Sequence, residues 1–76
     1  MATKKTGTVN ETLGRNVKAR REELSMSQEW LAERAGCTRH NISNIELGKQ
    51  GCGLALFVVL CQALRSTPDT MLKGAC

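Results

Sequence analysis

The sequence predicts an all-α fold, a compact five-helix bundle, and three observations lead to this prediction. Ser27 and Thr38 are good helix N-caps, and a glycine ends each of the segments that they begin, at Gly36 and Gly48. Apolar residues recur at helical spacing along most of the chain. The apolar run at residues 54–64 could be a buried strand, but it is long and has no second strand to pair with.

The length and charge of the chain set broad limits. A chain of 76 residues is enough for one small domain, which buries only ~60% of its unfolded surface. The formal net charge is +4 and aromatic residues make up 3% of the sequence. This charge is compatible with a polyanionic partner and does not by itself identify one.

The cysteine pattern argues against a metal site. None of the four cysteines forms a C-x-x-C pair, and the sequence has only one histidine, His40. The N-terminus lacks the apolar core of a signal peptide, so we expect a cytoplasmic protein with reduced thiols. The run at residues 54–64 is far shorter than the ~20 residues that cross a bilayer. No acid–base pair or nucleophile is evident, so we expect no enzyme activity, no cofactor and no small-molecule ligand.

The first predicted helix spans about residues 10–24. Its apolar positions form one stripe that we expect to be buried: Leu13, Val17 and Leu24. Lys18 and Arg20 are expected to face water. Residues 1–9 are predicted to be a flexible tail. The alternative is an arm whose lysines, Lys4 and Lys5, contact phosphate groups.

Two short helices joined by a tight turn are predicted at residues 27–48. Gly36 ends the first of them, where a left-handed residue turns the chain sharply. Thr38 caps the second, which runs over residues 39–46. Ala32 is small where the two helices must approach closely. The remaining inward positions are apolar: Leu31, Ala35, Ile42 and Ile45.

The outward face of the second short helix is polar. It carries Arg39, His40, Asn41, Ser43 and Asn44. Arginine can bind guanine through two hydrogen bonds, asparagine can bind adenine in the same way, and serine can bind several bases. The front half of the helix has no Asp or Glu, so its surface suits a polyanion. This pattern predicts a helix that reads base edges in a major groove.

The segment SQEWLAERAGCTRHNISNIELGK resembles the Cro/phage-repressor (XRE) family of helix-turn-helix regulators. The similarity extends over residues 13–72, with the helix-turn-helix motif at 28–47 inside a domain at 10–73 and a short tail at 74–76. The chain departs from the family at Cys52, where a proline is common. The matching positions are Ser27-Gln28, Leu31-Ala32, Ala35-Gly36, Ile42 and Glu46-Leu47-Gly48.

The resemblance implies a lambda-repressor-like DNA-binding domain and assigns roles to individual residues. Gln28 matches a position that binds a phosphate. The usual base-reading positions are Arg39, His40 and Asn44. Thr38, Asn41 and Ser43 match positions that contact phosphate or the groove edge. Arg21 and Glu46 match a buried salt bridge between the first helix and the reading helix.

The C-terminal half supplies a phosphate contact and a surface for association. The loop at residues 47–53 has three glycines, so its backbone can approach a phosphate closely and Lys49 can place a charge there. The helix at 54–64 is apolar nearly all round and needs cover on more than one side. Thr67-Pro68-Asp69 begins a short last helix in which Met71 and Leu72 are expected to face inward.

These features predict a transcriptional regulator, in the first place a repressor, that binds double-stranded DNA as a homodimer at a pseudo-palindromic operator. The expected dimer surface is the last helix with the outer side of the helix at 54–64. Two alternatives stay open. One is an adaptor of the same fold that binds protein, and the other is the DNA-binding part of an antitoxin or a larger repressor.

Overall fold

The computed structural model describes residues 9–74 and has, within that range, five α-helices and no strand. This confirms the predicted all-α class. Of the predicted tails at residues 1–9 and 74–76, residues 1–8 and 75–76 lie outside the described range. The helices are α1 (Val9–Glu23), α2 (Gln28–Ala35), α3 (Arg39–Glu46), α4 (Leu54–Ala63) and α5 (Pro68–Met71).

The helix ends lie within one or two residues of the predicted ones. α1 begins at Val9 and ends at Glu23, and α4 ends at Ala63. Ser25 and Arg65 follow these two ends with positive φ angles of 58° and 53°. The amide of Met26 then donates to the carbonyl of Arg21, as expected of a left-handed C-terminal cap.

Helices α1 and α3 touch at the backbone. A Cβ atom on Gly14 would lie 2.2 Å from the carbonyl oxygen of Ile45. Only glycine therefore permits this approach. The core beneath it draws on all five helices, and its buried apolar residues are Leu13, Val17, Leu31, Ala32, Ile42, Ile45, Leu60, Cys61, Leu64 and Met71.

Side chains of α1 also bind the ends of the last two helices. Asn16 donates through Nδ2 to the carbonyl oxygens of Met71 (2.6 Å) and Lys73 (3.1 Å). Arg20 donates through Nε to the carbonyl oxygen of Leu64 at 2.8 Å. The prediction that Arg20 faces water is therefore wrong in part, because its guanidinium satisfies carbonyl groups that the end of α4 leaves without a helical partner.

The outer side of α4 is apolar and open. Leu54 is 79% exposed and Val58 44%, whereas Leu60 and Leu64 are fully buried. Leu72 was expected to face inward and is 37% exposed, because α5 is a single turn that ends at Met71. None of the helices among residues 9–74 has the length and apolar composition of a bilayer-spanning segment.

Candidate nucleic-acid interface

The turn between α2 and α3 is fixed by its caps. The hydroxyl of Ser27 accepts the amide hydrogen of Trp30 at 2.9 Å, and that of Thr38 accepts from Asn41 at 3.1 Å. Gly36 has φ 74° and ψ 31°, the left-handed conformation expected at this position. Both helices thus begin on a side-chain cap, and α3 has a defined direction relative to α2.

One face of α3 is buried and the opposite face is open. Ile42 and Ile45 lie in the core, and Glu46 is buried beside them. The predicted contact residues lie on the open side. Thr38, Arg39, His40 and Lys49 are exposed, and Gln28, Asn41, Ser43 and Asn44 are half-buried.

Arg21 and Glu46 form a two-pronged ion pair between α1 and α3. Arg21 Nε donates to Glu46 Oε2 at 2.6 Å, and Nη2 donates to Oε1 at 3.1 Å. The Arg21 side chain is 10% exposed and that of Glu46 2%. Hydrogen bonding to Glu46 raises the pKa of the Arg21 guanidinium. The only acid of α3 is therefore withdrawn from the open face and neutralised.

Gln28 extends this hydrogen-bond network to the open face of α3. Its Nε2 donates to Glu46 Oε1 at 2.9 Å, and its Oε1 accepts from Arg39 Nη1 at 3.2 Å. The carboxylate thereby fixes which end of the Gln28 amide faces Arg39. In this structure the Gln28 side chain is engaged within the chain, and its role in binding a phosphate stays a prediction.

Asn44 lies between His40 and the loop that follows α3. Its Nδ2 is 3.1 Å from His40 Nε2 and 3.4 Å from Gln50 Oε1. Sequence reasoning did not include Gln50 in the interface, because the path of a glycine-rich loop depends on what it packs against.

That loop packs on the start of α1. Gly48 has φ 76°, and a Cβ there would lie 2.6 Å from Glu11 Cγ. A Cβ on Gly51 would lie 2.8 Å from Asn10 Oδ1. The loop therefore lies against α1 and holds Lys49, which is exposed, near the C-terminal end of α3. Among the described residues, no three His, Cys, Asp or Glu side chains are grouped so that they could bind a metal.

A family model for a helix-turn-helix domain matches residues 12–72. The chain belongs to this helix-turn-helix family. The match spans most of the chain and confirms the resemblance to Cro/phage-repressor regulators that the sequence motifs indicated. None of the curated proteins compared with it has a significant sequence match.

Several solved structures share this helix-turn-helix architecture. The P22 c2 repressor protein, solved with a synthetic operator, is 31% identical with a TM-score of 0.77, over 82% of this chain and 94% of the repressor. The restriction-modification controller protein C.AhdI from Aeromonas hydrophila is 26% identical with a TM-score of 0.77, over 82% of this chain and 94% of its own. The clp gene regulator ClgR from Corynebacterium glutamicum is 23% identical with a TM-score of 0.86, over 91% of this chain and 73% of its own, and shows the fold alone.

These comparisons place the helix-turn-helix chain among DNA-binding regulators with a lambda-repressor-like fold. The roles of individual side chains at the interface stay predictions.

Proposed function

We propose that this protein is a transcriptional regulator, acting as a repressor, that binds specific double-stranded DNA through α3. The observation that carries the proposal is the acid-free open face of α3. Arg39 and His40 are exposed there, while Glu46 is buried and paired with Arg21. An α-helix with its side chains is about 10–12 Å in diameter, which fits the width of a major groove, about 12 Å.

The proposed binding geometry follows from the two capped helices. α2 crosses the phosphate backbone with its N-terminus, where free amide groups and Gln28 bind a phosphate. The N-terminal part of α3 enters the major groove, with Arg39 donating to a guanine. Lys49 neutralises a second phosphate beyond the C-terminal end of α3.

A second copy of this chain completes the proposed DNA-binding unit. One such domain covers only a short stretch of duplex, and a dimer reads two half-sites about 10 base pairs apart. The surface proposed for the dimer joins the outer side of α4 to α5. It has a shallow, mostly apolar groove lined by Val9, Asn10, Leu13, Cys52, Leu54, Phe57 and Leu72.

Selection of bound sequences from a random DNA pool tests the proposal directly. The expected result is an enriched pseudo-palindromic motif. Arg39→Ala should cost about 1–3 kcal/mol of binding free energy and relax preference at one base pair of each half-site. Lys49→Ala should weaken all sequences alike and lower the salt slope by about 1. If no motif is enriched, an adaptor that binds protein becomes the better explanation.

The dimer has a separate test in sedimentation equilibrium without DNA. Leu54→Asp places a charge on the proposed dimer surface, so the variant should be monomeric where the parent chain associates. Ser25→Asp adds the same charge at an exposed position between α1 and α2, outside the proposed dimer surface, and serves as the control. A parent chain that stays monomeric at high concentration would contradict the proposed surface.

A further inference from the structure

The amide group of Asn44 is held by two neighbours from different parts of the chain. One is His40, one turn earlier on α3, whose Nε2 lies 3.1 Å from Asn44 Nδ2. The other is Gln50, whose Oε1 lies 3.4 Å from the same nitrogen. Nδ2 carries two N–H groups, and each of these neighbours places one atom within hydrogen-bond distance of it.

The donor and acceptor roles of the His40 ring nitrogens depend on its tautomer. In the Nδ1–H tautomer, Nε2 carries no proton and accepts from Asn44 Nδ2. Both contacts of the Asn44 side chain use Nδ2, and its carbonyl oxygen, Oδ1, takes part in neither.

The position of Gln50 is supported by the backbone around it. Gly48 and Gly51 lie on either side of it in the loop, and both lie close to α1. A Cβ on Gly48 would meet the Glu11 backbone at 2.9 Å, whereas one on Gly51 would meet only the end of the Asn10 side chain. The amide of Lys49 donates to the carbonyl oxygen of Asn44 at 2.9 Å, which joins the loop to the end of α3. The loop backbone around Gln50 is thus in contact with both α1 and the end of α3, and Gln50 lies at the edge of the open face of α3.

We propose that Asn44 reads the major groove as a hydrogen-bond acceptor only, with His40 and Gln50 as the positioning residues that occupy its donors. This inference rests on the proposed function and deepens it. An acceptor selects a base with an amino group in the major groove, which is adenine (N6) or cytosine (N4). Guanine presents the acceptors O6 and N7 in the major groove, and thymine presents the acceptor O4. The Asn44 oxygen is also an acceptor, so it cannot form a hydrogen bond with either base there.

The inference differs from the sequence-based expectation for Asn44. An asparagine with a free amide binds adenine through two bonds, donating to N7 and accepting from N6, and so separates adenine from cytosine. With its donors occupied, Asn44 makes the same single bond to adenine and to cytosine. The half-site position under Asn44 should therefore accept both amino bases.

The test is a random-pool selection with the full chain and with matched variants. Asn44→Ala identifies the position, as the base pair at which preference is lost. At that position the parent chain should enrich adenine and cytosine within about threefold of each other, and each about tenfold over guanine and thymine. His40→Ala and Gln50→Ala each free one N–H group, and adenine should then exceed cytosine by about tenfold.

Controls separate this result from general damage. Gln62→Ala removes the same side chain as Gln50→Ala at an exposed site on α4 and should leave the base preference unchanged. Thermal melts of all variants should agree within a few degrees, since His40 is exposed and Gln50 half-buried. The double variant His40→Ala/Gln50→Ala should show the largest preference for adenine.

The possible failures are distinguishable. A parent chain that enriches a motif with adenine alone under Asn44, unchanged in His40→Ala and Gln50→Ala, overturns the acceptor-only reading and leaves the DNA-binding proposal intact. A parent chain that enriches no motif overturns both.

Discussion

The buried ion pair permits a quantitative prediction. Glu46→Leu removes the carboxylate that pairs with the Arg21 guanidinium, whose side chain is 10% exposed. Arg21→Met in turn leaves the Glu46 carboxylate without its guanidinium partner. Removing one partner of a buried pair costs about 3–5 kcal/mol. For a domain of this size, that lowers the melting temperature by at least about 12 °C.

The double variant Arg21→Met/Glu46→Leu should recover much of this loss. Replacing both charges by apolar side chains of similar volume is often neutral or stabilising by about 1–4 kcal/mol. The assay is urea denaturation followed by circular dichroism on the parent, both single variants and the double variant. This cycle gives the coupling free energy between the two side chains.

The exposed pair in α1 supplies the control. Arg20 Nη1 and Glu23 Oε1 are 3.0 Å apart, but the side chains are 32% and 69% exposed. Glu23→Gln should therefore change the free energy of unfolding by less than about 1 kcal/mol. Equal and small effects in Glu23→Gln and Glu46→Leu, with no coupling in the cycle, would refute the reasoning from burial.

Four further predictions concern the backbone and the thiols. Gly14→Ala should destabilise by at least about 1–3 kcal/mol in urea denaturation, because its Cβ would meet a carbonyl oxygen of α3 at 2.2 Å; a neutral effect would mean that α1 and α3 separate freely. Arg65→Gly should raise the unfolding free energy by about 0.5–1 kcal/mol in thermal melts, since glycine adopts φ 53° without steric cost, and a loss would contradict this. The third prediction concerns thiol reactivity in the Cys76→Ser variant. Its native form should react with a thiol reagent at pH 8 at least about tenfold more slowly than its unfolded form. The reason is that burial raises the thiol pKa values in the native chain, and only the thiolate form reacts. Stability should also fall as the pH rises through the unfolded thiol pKa, where the unfolded chain loses protons first, and pH-independent melts would contradict this. The thiols concerned are Cys37, Cys52 and Cys61.

The helices could be predicted from the sequence because their ends are encoded locally. Ser27, Gly36 and Thr38 are within a few residues of the backbone groups that they satisfy, so the bounds of α3 were found without any knowledge of the fold. Leu72 was placed wrongly because its burial depends on how far a one-turn helix extends. That length is decided by tertiary contacts such as Asn16 with the carbonyl of Met71.

The residues of the candidate interface could be predicted from the sequence, but the hydrogen bonds between them could not. The polar face of α3 follows from helical periodicity. The link from Glu46 through Gln28 to Arg39 depends on the separation of two helices, and no local pattern specifies it. Gln50 reaches Asn44 only because its loop packs on α1 through glycines, which is a long-range effect.

The hydrogen bonds of α1 have a consequence for the order of events during synthesis. Asn16 and Arg20 bind carbonyl groups of residues 55 and 44 positions later in the chain, and Arg21 binds an acid 25 positions later. On the ribosome, Arg21 of α1 can therefore bind its partner once α3 has emerged, Arg20 once the end of α4 has emerged, and Asn16 only once α5 has emerged. Contacts of this separation favour an all-or-none transition once residues near 73 have left the exit tunnel, and nascent chains stopped before α5 should remain sensitive to protease.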